Sequence, residues 1–122
     1  MIEYYRPTGK LTSGRAVQEL GLNTKQAYAE PKPLWLIDLQ QADIADNDHS
    51  SLLDFARQVY EQWQRSACDS GRFVIVAIDD LTVGLSNVIC AYIRTKGEQL
   101  QAQVMRSEEE ALAWLRQANL AC

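Results

Sequence analysis

The sequence is poor in the residues that carry most enzyme chemistry. Among its 122 residues there is one histidine, His49, and the three cysteines, Cys68, Cys90 and Cys122, show no C-x-x-C spacing. A zinc site or a redox dithiol needs more ligands at closer spacing, so no metal is expected. Three prolines and six glycines are too few for collagen or low-complexity disorder. The longest unbroken apolar run, residues 73–78, is far short of the roughly 20 residues that cross a bilayer, so no membrane span is expected. Residues 1–5 lack the basic start and long apolar stretch of a signal peptide. With few cysteines, these absences lead to the expectation of a cytoplasmic protein.

Catalytic signatures are missing too. No G-x-G-x-x-G follows an expected strand and there is no G-x-S-x-G elbow. Thr8-Gly9-Lys10-Leu11-Thr12 looks like the end of a phosphate-binding loop. However, Tyr4 stands where the first glycine is needed, and Leu11 follows Lys10. The expectation is a non-enzyme with no cofactor. The acidic balance, a net charge of -4, argues against nucleic acid as a partner. The charge is uneven: residues 1–33 hold five basic and three acidic side chains, and the rest hold seven basic and thirteen acidic ones.

What is present is a single domain's worth of patterning over residues 1–122, with 47% apolar residues and enough length to bury a core. Ile2 to Arg6 is β-prone and ends in a Pro7-Thr8-Gly9 turn signal. Thr12 or Ser13 caps a helix lined by Ala16, Val17 and Leu20, which Gly21 ends or interrupts. The pattern leaves open whether helix resumes through Ala27 and Tyr28; Pro31 and Pro33 stop it. Leu34 to Leu39 reads as a strand buried on both faces. A polar loop from Gln40 to Asp48 follows. Asn47 or Asp48 then caps the clearest helix, with Leu52, Phe55, Ala56, Val59 and Trp63 on one face. Arg72 to Ile78 reads as a second buried strand, with Cys90 a buried thiol in the next helix. That helix opens at Asp79-Asp80 and shows Leu81, Leu85, Val88, Ile89, Tyr92 and Ile93 as its apolar face. Leu100 to Met105 alternates as a strand, and Ser107 to Glu110 opens a last helix lined by Ala111, Leu112 and Leu115. Strand and helix alternate from residue 34 on. The expected fold class is α/β, with a mostly parallel sheet of about four strands and packed helices. The alternation also invites comparison with a phosphoaspartate receiver, but no lysine follows the strand ending near Met105.

The ordered set Leu34 to Leu39, Val74 to Asp80, Val83-Gly84-Leu85-Ser86 and Glu109 to Leu115 resembles the SpoIIAA-like proteins. These are relatives of the anti-sigma-factor antagonists with the STAS fold. Gly9-Lys10-Leu11-Thr12 is similar to that family's turn into its first helix. The resemblance implies a cytoplasmic regulatory module that works by protein–protein interaction, as bacterial members of the family do. It also implies a phosphorylated serine at the start of the helix after the Asp-Leu strand. The matching stretch is Asp48-His49-Ser50-Ser51, so Ser50 and Ser51 are the candidate phospho-switch. The sequence departs from the family's Asp-Ser-Ser-Gly pattern, since His49 intrudes and Leu52 replaces the glycine. It also offers little strand before the first helix, so an open sheet edge and a homodimer through it are expected. The candidate interaction surface is Asp46, Asp48, His49, Asp79, Asp80 and Thr82, at the carboxyl end of the strands. The alternative is a small-molecule or lipid-binding domain of the same fold, with Trp35, Trp63 and Trp114 lining its pocket.

Overall fold

The computed structural model describes residues 2–22, 33–66 and 68–118. The expectations at Ala27, Tyr28 and Pro31 lie outside them. The chain forms a four-stranded sheet in the order β1 (Ile2–Tyr5), β3 (Leu34–Asp38), β5 (Gly71–Val76) and β6 (Leu100–Met105). Every neighbouring pair in it is parallel, so the α/β expectation holds. A second, two-stranded parallel sheet pairs β2 (Gly9–Lys10) with β4 (Ala42–Asp43), inside what the sequence suggested was only a polar loop. Gly9 turns the chain into it at a positive φ of 70°, which glycine adopts without strain.

The apolar runs of β3 and β5 serve both faces of the sheet. Trp35, Ile37, Phe73 and Ile75 join one core beneath α1 (Ser13–Leu20), α2 (His49–Arg65) and α3 (Asp80–Arg94). Leu34, Leu36, Val74 and Val76 point the other way, to Ala111 and Leu115 of α4 (Glu108–Arg116). Parallel crossovers of one hand carry α1, α2 and α3 to the same face, and α4, which follows the last strand, closes the other. Strand β6 alternates buried Leu100 and Ala102 with exposed Gln101 and Gln103, as an edge strand half in water should.

Two expectations are corrected. The second buried strand stops at Val76 rather than Ile78, because its neighbours end at Asp38 and Met105. Ile78 is 52% exposed. The fully buried stripe of α3 is Thr82, Ser86, Ile89, Cys90 and Ile93; of the expected face Ile89 and Ile93 are buried and Leu85, Val88 and Tyr92 pack half-buried against the same core, but Leu81 is 59% exposed. Cys90 is a free, fully buried thiol whose pKa burial pushes up to about 12. Cys68 is disulfide-bonded.

Candidate functional site

Parallel strands all end on one side of the sheet, and the starts of the helices gather there. Each start is closed by a short polar side chain that accepts an otherwise orphaned N–H. Thr12 Oγ1 accepts from Arg15 at 3.1 Å, Asp48 Oδ1 from Ser51 at 2.7 Å, Asp79 Oδ1 from Thr82 at 2.9 Å and Ser107 Oγ from Glu110 at 3.3 Å. The Ser51 N–H, then the Ser51 hydroxyl, hold the Asp48 carboxyl below its ordinary value. The Thr82 N–H and hydroxyl do the same for Asp79.

The sequence-derived candidates fall into two groups. At the start of α2, Asp46, Asp48, His49 and Ser50 are exposed, and Ser51 is half-buried. Asp46 pairs with Lys10 at 3.5 Å, a solvated contact of small worth. Ser51 is tied into the cap, and its carbonyl accepts the Ser13 hydroxyl at 2.8 Å. The Ser50 hydroxyl has no partner among the described residues. At the start of α3, Asp79 caps the helix and Asp80 pairs with Arg106 at 2.9 Å. Thr82 is buried and serves the cap, so it is not part of an exposed surface. No hydrogen bond or ion pair joins the two groups among the described residues.

The sequence offered Asn47 only as a helix cap and Ile78 and Leu81 only as buried positions, and so missed how they shape this end of the molecule. Asn47 Nδ2 donates to the Leu11 carbonyl at 2.7 Å and to Ile44 at 3.0 Å, while its Oδ1 accepts the Ser13 N–H at 3.0 Å. Among the described residues Ile78 and Leu81 are, with Tyr4, the exposed large apolar side chains, and they flank Asp79-Asp80. Arg106 leans across this corner, donating to the Ile78 carbonyl at 2.6 Å as well as to Asp80. On the far side of the corner, Arg6 at the exit of β1 pairs with Glu108 at the start of α4.

A cavity of about 30 Å³ lies under Asn47 and Ser13, lined otherwise mainly by apolar residues such as Leu39, Leu52, Phe55 and Ile75. That is room for a water or two. The tryptophans do not line it. Trp35 and Trp63 are core residues, and Trp114 lies beneath the guanidinium of Arg72, 4.9 Å from its ring centre. The strand order follows the chain without reversal, so the sheet has no switch-point crevice of the kind that holds ligands in doubly wound folds. Among the described residues no three His, Cys, Asp or Glu side chains cluster as a metal site, and no helix is long and apolar enough to cross a membrane.

Compared with known protein families, curated proteins and solved structures, the chain shows no match.

Proposed function

We propose that this chain is a non-enzymatic interaction module of the SpoIIAA-like, STAS type, which docks a protein partner on the corner between β5 and α3 and on the first turn of α2. The observation that carries this reading is the exposure of Ile78 and Leu81, at 52% and 59%, on either side of two aspartates. Apolar side chains held out into water on a capped, rigid turn favour a partner that covers them. Asp48 and Asp79 carry the acidic character of this surface, since Asp46 and Asp80 already face Lys10 and Arg106, so the partner it suits offers an apolar cleft with a few basic groups around it. Regulation would fall on Ser50. It is exposed in the first turn of α2, where a phosphate gains from the helix N-terminus and repels Asp48 and Asp46. Ser51 is the poorer target, because its hydroxyl already serves Asp48.

The alternative, a lipid or small-molecule binder, loses support. Such ligands fill mostly apolar pockets of about 300 Å³ or more; the apolar cavity here is about 30 Å³, and the larger open grooves, of about 450 and 300 Å³, are lined largely by polar side chains such as Arg94, Glu98, Gln99 and Gln101.

The test is site-specific photocrosslinking in the native host. A photoreactive side chain at position 78 should capture one discrete protein, and the same group at exposed Gln64 should not. Leu81→Asp should abolish that capture while leaving the circular dichroism unchanged. Equal capture from both positions, or none from a folded protein at position 78, refutes the surface assigned here.

A further inference from the structure

Strand β6 forms one edge of the sheet, and its residues, Leu100 to Met105, carry no charge. The Gly71 N–H donates to the Gln99 carbonyl at 2.8 Å, and the Ala77 N–H to Met105 at 3.0 Å. Backbone direction alternates along a strand, so Gln99, Gln101, Gln103 and Met105 turn their backbone groups to β5. Leu100, Ala102 and Val104 turn theirs outward. Of these outward groups, the Ala102 carbonyl is the one taken among the described residues, by Arg94 Nε at 2.9 Å. An open groove of about 450 Å³ runs along this edge, bordered by Asn87, Arg94 and Glu98. The opposite edge, β1, is shorter and carries Glu3 within it.

We propose that β6 is the docking edge for a second copy of this chain, antiparallel, with the two-fold axis at Ala102. The sequence is self-complementary about that residue. Leu100 falls opposite Val104, and Gln101 opposite Gln103, each pair occurring twice. The Gln101 and Gln103 amides can bond across the seam on the α4 face of the sheet. Glu98 and Arg106, four residues before and after Ala102, fall opposite each other as opposite charges at both ends, with Arg106 exchanging the exposed Asp80 for Glu98 of the second copy. Parity agrees, because Ala102 opposite Ala102 is a hydrogen-bonded pair and its N–H and C=O both face outward. Moving the axis to Leu100 sets Glu98 against Ala102, and moving it to Val104 sets Arg106 against Ala102. Neither shifted register keeps the charge pairing. Two four-stranded sheets would become one of eight strands, with an isologous interface that closes on itself. Arg94 is the guard on this edge. It occupies the central carbonyl in the monomer and must release it before a second strand can pair.

Sedimentation velocity over a concentration series tests the proposal. The wild type should show a monomer–dimer equilibrium, shifted toward dimer by Arg94→Ala. Gln101 and Gln103 are exposed, so their substitution leaves the fold in place, as circular dichroism will verify. Gln101→Lys with Gln103→Lys sets like charges opposite each other twice and should weaken association about tenfold; Gln101→Glu with Gln103→Lys sets opposite charges there and should tighten it by a similar factor. Wild type and Arg94→Ala both remaining monomeric at every concentration would overturn the proposal. So would a dimer whose strength neither glutamine double variant moves.

Discussion

Asn47 holds Ser13 from 34 positions away, accepting its N–H at 3.0 Å and its hydroxyl at 3.3 Å. With the donors of Asn47 on Leu11 and Ile44, one amide ties the start of α1, the exit of β2 and the loop into α2. Both its amide hydrogens and its carbonyl oxygen are used, so the joint is a satisfied network rather than a loose polar patch. It fixes the base on which Asp48, His49 and Ser50 stand. The link from sequence to surface therefore runs through a residue that the sequence offers only as a candidate helix cap.

Asn47→Ala should cost about 2 kcal/mol, because it strips partners from part-buried backbone groups of Leu11 and Ser13. Asp48→Ala, which removes only a solvent-facing cap, should cost distinctly less. Urea denaturation of both variants gives the comparison. An Asn47→Ala protein as stable as wild type would mean that water replaces the amide at no penalty.

Gly71 starts β5 against the ring of Trp63. A Cβ at this position would lie 2.6 Å from Trp63 Nε1 and 2.7 Å from the Pro33 carbonyl, closer than side-chain carbons come. The backbone oxygen cannot swing away as a flexible side chain would. Gly71→Ala should therefore destabilise by about 1–3 kcal/mol and shift the tryptophan emission of the folded state. An unchanged denaturation midpoint would show that the Pro33 backbone gives way freely.

Much of the fold was legible from the sequence, since β3 and β5 are buried on both faces and read as unbroken apolar runs, while β6 reads as an alternation. Gly21, expected as a helix stop, ends α1 with a φ of 64°. The surface was less legible. Hydrophobicity marks Ile78 as core, yet it lies beyond the last residues of both neighbouring strands. Leu81 fits the helical spacing of Leu85 and Val88, yet it sits in the first turn of α3, where Thr82 is the residue that faces inward. Periodicity shows which residues are apolar. It does not show where the covering neighbours end, and the two exposed side chains arise at that boundary. The Asn47 joint was hidden for another reason, because a long-range side-chain bond leaves no periodic mark.

Val76 is fully buried on the last step of β5, facing Leu36, Ala111 and Leu115 across the α4 core. Val76→Asp places a carboxylate there without a cation to meet it. The loss should be about 4 kcal/mol or more, enough to unfold a domain of ordinary stability. Circular dichroism of the purified variant measures it, and a soluble, cooperatively folded protein at neutral pH would refute the buried position.

Acid should find the two aspartate caps together. Asp48 and Asp79 are both held below the ordinary carboxylate value of 3.8, first by the backbone N–H of Ser51 and of Thr82 and next by the matching hydroxyls. A carboxylate lowered in the folded state stabilises it at pH values above the unfolded pKa. That contribution fades as the pH falls through the folded pKa, where the native caps must take up protons. Resistance to urea should therefore decline as the pH drops below about 4. In Asp48→Asn with Asp79→Asn the caps survive, since asparagine caps a helix as well as aspartate does, but they no longer titrate. The double variant should lose less stability between neutral and acid pH than the wild type. Its remaining slope should come from Glu19 and Asp54, which Tyr5 and Arg57 respectively hold low. Equal acid slopes in the two proteins would show that the caps contribute through geometry alone and not through their charge.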